Sequence, residues 1–199
     1  MPFNSQDKFA LTIVQCKTQD SEVCIYIKGA PEKIWKRCSY IQTNSPYPTR
    51  LNDEWQKKFN NVNLQLGKMG ERVLGFAKLH LPRKDFPADF QFDISASTKF
   101  NFVLDDLTFI GLISLIDPPK DAVPMAVKKC RSSGIKVIMV TGDQPPTAAA
   151  IAKQVNIIPA DMKTNIDILE ERPGLKWEDA TDEAKAIVVH GDKINEVLE

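Results

Sequence analysis

Thr141, Gly142 and Asp143 close an apolar, β-branched run, Ile135 to Val140, and stand directly before the proline pair and alanine-rich stretch PPTAAAIAKQV. A strand that ends in a small, polar, acidic turn before a helix is where open α/β sheets take their ligands, because helix N-termini there present free N–H groups. A threonine hydroxyl and backbone amides can hold a phosphoryl oxygen, glycine permits close approach, and a carboxylate can orient a magnesium shell or a ribose hydroxyl. The same three residues equally fit an N-cap turn in which Asp143 caps the next helix. Asp117, in IDPPK, stands at the corresponding end of the preceding apolar run, so two carboxylates would flank one crevice, or Asp117 simply caps a helix with proline at its first position. Lys28 ends a strand just before a helix N-terminus, a place where a cation meets phosphate and where a lysine is also at home in water. Arg72, in GERVLGF, enters a strand after a glycine, with a surface ion pair of small worth as its plainer role. His80 and His190 lack a catalytic context and read as packing or surface residues. No nucleophile elbow, Walker A loop, Cys/His pairing or metal-ligand spacing occurs.

The elements that position these residues follow from periodicity. FALTIVQCK (9–17) and SEVCIYIKG (21–29) alternate as two strands of an antiparallel hairpin around TQD. APEKIWKRCSYI then reads as a helix, with Pro31 and Glu32 in its first turn and Ile34, Cys38 and Ile41 at helical spacing. QTNSPYPT is a loop. Leu51, Trp55, Phe59, Val62 and Leu66 mark an amphipathic helix whose N-terminal turn Asn52 and Asp53 can serve, ending near Gly67 or Gly70. Residues 71–82 return to strand, and 83–106 form a long aromatic and polar connection with short structure. From 106 the rhythm becomes strand (LTFIGLISLI), turn (DPPK), helix (121–134), strand (135–140), turn, helix (147–157), the mark of a parallel sheet with crossovers. Residues 161–185 read as a charged, mobile excursion before a last strand, AIVVHGD (186–192).

Composition bounds the function classes. The 199 residues carry 26 basic and 26 acidic side chains, so no broad field favours nucleic acid or an anionic membrane, and a phosphate ligand must be held locally. The longest apolar stretch, FIGLISLI, falls far short of the roughly 18–20 residues of a membrane span. MPFNSQDKFA is not a secretory signal. Cys16, Cys24, Cys38 and Cys130 are scattered, which reads as reduced thiols in a cytosolic setting.

The ordered segments PFNSQDKF, IKGAPEKIWKRCSYI, GERVLGFAKLHLP, FIGLISLIDPPKDAVPMAVKKCRSSGIKVIMVTGDQPPTAAAIAKQVNII and AKAIVVHGD resemble the cytoplasmic nucleotide-binding and phosphorylation region of a P-type cation-transporting ATPase. Within that family the wording is most similar to the sodium/potassium and proton/potassium pump alpha subunits. The resemblance implies an α/β fold. Residues 1–105 would be the C-terminal part of the nucleotide-binding α+β domain, and 106–199 part of a haloacid-dehalogenase-like parallel-sheet phosphorylation domain.

It further implies that Thr141 contacts the aspartyl phosphate, with Gly142 beside it and Asp143 near magnesium and nucleotide. Asp117 and Lys120 would match the family's D-P-P-R hinge segment, lysine standing for its arginine. Phe3 would stack on adenine, Lys8 and Lys28, with Gly29, would line the ATP pocket, and Arg72 would reach the phosphates. ATP and Mg²⁺ are the implied cofactors, the main magnesium ligands lying outside this chain. The implied partners are the rest of the pump, including a transmembrane domain, and a beta subunit; nucleic acid is not one. The implied location is the cytoplasmic face of the plasma membrane. The family's D-K-T-G-T and G-D-G-x-N-D segments do not occur here. Ala10 and Gln144 replace the relatives' glutamine near adenine and histidine after TGD. The chain alone is therefore expected not to turn over ATP. Its alternative is a non-catalytic nucleotide-binding or interaction module, and a soluble phosphatase would need a D-x-D nucleophile loop that the strand ends lack.

Overall fold

Phe9, Leu11 and Ile13 alternate with Ala10, Thr12 and Val14, and this period of two turns one apolar row onto a core. In the computed structural model, which describes residues 1–15, 23–87 and 89–194, that stretch is β1 (Phe9–Gln15). It pairs antiparallel with β2 (Val23–Gly29), Phe9 opposite Gly29 and Gln15 opposite Val23. The expected hairpin is formed; its TQD turn and Cys16 lie outside the described residues. The remaining strands are β3 (Cys38–Ile41), β4 (Thr49–Arg50), β5 (Arg72–Leu81) and β6 (Leu107–Leu115). Together they make one mixed sheet in the order β1-β2-β5-β6-β3-β4, with β3 parallel to β6 and the β1/β2, β2/β5 and β3/β4 pairs antiparallel.

The helices are α1 (Pro31–Trp35), α2 (Asp53–Lys68), α3 (Val123–Ser132), α4 (Pro145–Gln154), α5 (Asn165–Glu171) and α6 (Trp177–Glu183). The chain divides into two compact units, Met1–Asn63 with Val73–Ser114, and Leu64–Arg72 with the described part of Leu115–Glu199. In the first, Phe9, Ile25, Ile27, Ile34 and Leu107 are fully buried. Trp35 stacks on Phe59 with ring centroids 4.2 Å apart, and Phe109 meets Trp35 edge-on at 4.9 Å. α2 starts as its sequence suggests, Asn52 Oδ1 accepting from the Trp55 amide at 3.0 Å. The connection after β5 carries one short 3-10 turn, Ser97–Lys99.

Four expectations are corrected. The helix from Ala30 stops at Trp35, and Cys38–Ile41 is a strand, because β6 and β4 offer it backbone partners: the Leu107 amide donates to Arg37 O and the Gln42 amide to Phe109 O. Residues 135–140 form no strand, and Ile135, Ile138 and Val140 are exposed. A parallel strand needs ladder partners, and none flanks this run among the described residues. The last strand, 186–192, is reduced to one parallel bridge between Ala186 and Thr164. There the Asn165 side chain imitates a neighbouring strand, Oδ1 accepting from the Val188 amide at 2.8 Å and Nδ2 donating to Val188 O at 3.1 Å. The charged stretch before it carries α5 and α6, the former opened by a capping box between Thr164 and Asp167.

In the second unit α3 closes on Gly134, whose φ of +75° only glycine adopts freely, and the Ile135 amide bonds back to Cys130 O. Cys24, Cys38 and Cys130 are free thiols.

Candidate functional site

Asn4 is the turn residue that sets up the first group of site residues. Its Oδ1 accepts from the amides of Gln6 (3.1 Å) and Asp7 (2.7 Å), its Nδ2 donates to Asp7 Oδ2, and its carbonyl accepts from the Lys8 amide at 2.9 Å. This folds the chain so tightly that Lys8 takes φ +59°, a left-handed backbone that a lysine adopts only when its surroundings impose it. The Lys8 carbonyl in turn accepts from the Ala30 amide at 2.9 Å. Gly29 lies against that carbonyl, and a Cβ there would come within 2.3 Å of Lys8 O and 2.6 Å of Phe9 Cα. Lys8, Lys28 and Gly29 are thus gathered at one end of the β1/β2 hairpin.

Lys28 is exposed and pairs across the sheet with Ala10 on one side and Phe76 on the other, while its neighbours Ile27 and Gly29 are buried. Lys28 thus occupies an exposed strand position beside Phe76, and Lys8, half-buried, lies at the same end of the hairpin. Phe3 is 60% exposed, a ring available to stack on a planar ligand. Sequence pattern alone does not point to Asp7, although Asn-Ser before a strand is a turn signal. Hydrogen bonds from Ser97 and Asn4, with the Arg37 charge, hold its carboxyl below the usual carboxylate range against a small burial penalty.

The second group lies in the second unit. Asp143 Oδ1 accepts from Arg72 Nε at 3.0 Å, Oδ2 accepts from Thr141 Oγ1 at 2.9 Å, and the Asp143 amide donates back to Thr141 Oγ1 at 3.1 Å. Thr141–Asp143 is thus a hydroxyl-closed turn with an arginine on its carboxylate. It does not follow a strand, and Asp143 does not cap α4, whose N-cap is Gln144 without a side-chain cap bond. Asp117 and Lys120 are exposed in a segment without regular structure, and α3 starts only at Val123 with Ala122 as its N-cap. Neither side chain forms an ion pair among the described residues. No described set of three or more His, Cys, Asp or Glu side chains converges to hold a metal ion.

Beyond this geometry, the family model of the P-type ATPase cytoplasmic domain N matches residues 1–122. The chain belongs to the P-type ATPase family. In this P-type ATPase chain the matched region contains β1 to β6 and with them Phe3, Lys8, Lys28, Gly29 and Arg72. Relatives extend the similarity past that region. The sodium/potassium-transporting ATPase subunit alpha of Drosophila melanogaster is 46% identical over 198 residues, 99% of this chain. Its counterpart in Tetronarce californica is 47% identical over 197 residues, and the alpha-2 subunit of Homo sapiens is 46% identical over 197. The chain spans 19% of the length of each of these relatives. No described helix of this P-type ATPase chain is long and apolar enough to cross a membrane.

Proposed function

We propose that this chain is the cytoplasmic ATP-binding portion of a cation pump of the sodium/potassium or proton/potassium type, in which ATP hydrolysis drives monovalent cation movement through an aspartyl phosphate formed outside these residues. The observation that carries the reading is the collinear similarity of 99% of the chain to sodium/potassium-transporting ATPase alpha subunits. Residues 1–105 belong to the nucleotide-binding domain and 106–199 to the phosphorylation domain. Its partners are the transmembrane remainder of the pump and a beta subunit, and its place is the cytoplasmic face of the plasma membrane.

In this reading Phe3 stacks on the adenine, an interaction that tolerates the absence of a polar side chain at Ala10. Lys8, Lys28 and Arg72 supply the positive charge that phosphate oxygens need, and Gly29 lets the Lys8 backbone close over the start of the pocket. Thr141 and Gly142 offer a hydroxyl and a backbone amide to the phosphoryl group, Asp143 holds Arg72, and Asp117 with Lys120 forms a hinge. The described residues do not form a magnesium site by themselves. Phosphoryl transfer needs an in-line nucleophile, and with D-K-T-G-T missing from the sequence this chain alone binds ATP without turning it over.

Titration of the 199-residue chain with a fluorescent ATP analogue tests the reading. Saturable binding, weakened about ten-fold by Lys28→Ala and by Phe3→Ala, is the expected result. Unchanged titrations in both variants would remove the site assignment, and a phosphoenzyme formed by the isolated chain would remove the claim of inactivity.

A further inference from the structure

The first unit holds a polar depression of about 370 Å³ whose lining includes neither Phe3, Lys8 nor Lys28. Its wall is made by Gln6 and Asp7 ahead of β1, by Phe9 at its start, by Lys33, Lys36 and Arg37 in and just after α1, and by Asp105 ahead of β6. Arg37 is fixed there. It ion-pairs with Asp105 at 3.6 Å, donates to Leu104 O at 3.3 Å, and lies 5.6 Å over the Phe9 ring.

Arg37 offsets Asp105, while Asp7 keeps its charge, its donors Ser97 and Asn4 being neutral, and is outweighed by Lys33 and Lys36 together. What is left is positive. Lys33 and Lys36, one helical turn apart and both exposed, form no ion pair among the described residues, and cations outnumber carboxylates around the depression. Ammonium groups are compact point charges suited to oxygens arriving from several directions, the usual partner being phosphate. The volume lies near the small end of ligand clefts, roughly 300–1,000 Å³, which favours a small anion over a protein segment that needs about 1,000 Å² of interface.

We propose that this depression is a second anion site, taking a di- or triphosphate group between Lys33 and Lys36 over the fixed Arg37 guanidinium. It uses none of the residues assigned to ATP above, so the two readings stand or fall separately.

The test is a ¹H–¹⁵N NMR titration of the 199-residue chain with inorganic pyrophosphate at low ionic strength, where exposed charges are least screened. Saturable shifts at the amides of Lys33, Lys36, Arg37 and Asp105 are expected. They persist in Lys28→Ala, and in Lys33→Gln/Lys36→Gln the Kd rises about five-fold or more, as two exposed charge contacts imply. Both lysines are exposed, so the double variant should keep its spectrum elsewhere; if it does not, Lys36→Gln alone serves. Repeating the titration with ATP in the Lys28→Ala background shows whether the phosphate is free or carried on a nucleotide, shifts at the same amides supporting the site in either case. Shifts confined to the surroundings of Lys8 and Lys28, a titration unchanged by the lysine substitutions, or no saturation would overturn it.

Discussion

Arg72 Nε and Asp143 Oδ1 are 3.0 Å apart, joining two residues 71 positions distant in the chain, the arginine 59% exposed and the aspartate 14%. The carboxylate is the better anchored partner, since Thr141 holds its other oxygen. Under the proposed function, a phosphate must share the guanidinium with Asp143. Asp143→Asn should therefore raise ATP affinity about three- to five-fold, whereas Arg72→Ala lowers it and the double variant behaves as Arg72→Ala. Equal affinities for the wild type and Asp143→Asn would show that no such competition exists.

Under the proposed function, Lys8 separates stability from nucleotide binding. Its left-handed backbone costs about 1 kcal/mol in a residue with a Cβ. Lys8→Gly relieves that cost and is expected to raise the urea midpoint while weakening nucleotide binding. Lys8→Ala keeps the strain and loses the charge, so it weakens binding with little change in midpoint. Parallel urea melts and nucleotide titrations check both.

Gly29→Ala acts in the opposite sense. A methyl within 2.3 Å of Lys8 O and 2.6 Å of Phe9 Cα meets backbone rather than a side chain that can swing away. The β1/β2 pair must part to admit it, at a cost of about 2–3 kcal/mol or more. Chemical denaturation should show the loss, and a melt like that of the wild type would mean that the hairpin end yields easily.

Cys38 lies half-buried with its thiol 3.3 Å from Ile34 O, and burial pushes its pKa up to about 12. Its thiolate fraction at pH 8 is then negligible. Iodoacetamide followed by mass spectrometry should leave Cys38 unmodified in the native chain and alkylate it after denaturation. Native labelling as fast as that of the unfolded chain would contradict the packing of β3.

Asp167 is expected to make the second unit sensitive to acid. Burial raises its pKa, but hydrogen bonds from Lys153 and from the Thr164 amide and hydroxyl, with the Lys153 charge, outweigh that and leave it lowered. A carboxylate depressed in the folded state stabilises above its unfolded pKa, about 3.9, and that contribution is lost as pH falls through the lower folded value. Thr164→Ala removes the cap and should cost about 1 kcal/mol at pH 7. Asp167→Asn should flatten the loss of stability below about pH 4, read from thermal melts across pH 2.5–7. An unaltered acid limb would assign that limb to other carboxylates.

Local sequence was enough wherever one residue's chemistry or a short period decides the outcome. The alternation in β1 and β2, the Asn52 start of α2 and the β5 run were legible because each buries its own face or caps its own turn. Membership of the P-type ATPase family was legible for a related reason, since Lys28, Gly29 and Arg72 sit in ordered, recognisable wording. Cys38–Ile41 reads as helix because its spacing suits both periods, and only β6, some 70 residues later, supplies the ladder that selects the strand. Residues 135–140 show the converse: β-branched side chains give a preference for extended backbone, but a strand exists only where another backbone accepts its hydrogen bonds. The Arg72–Asp143 pair and the Lys33–Arg37 depression were likewise out of reach, because Coulomb attraction acts over ångströms in space and is blind to separation along the chain.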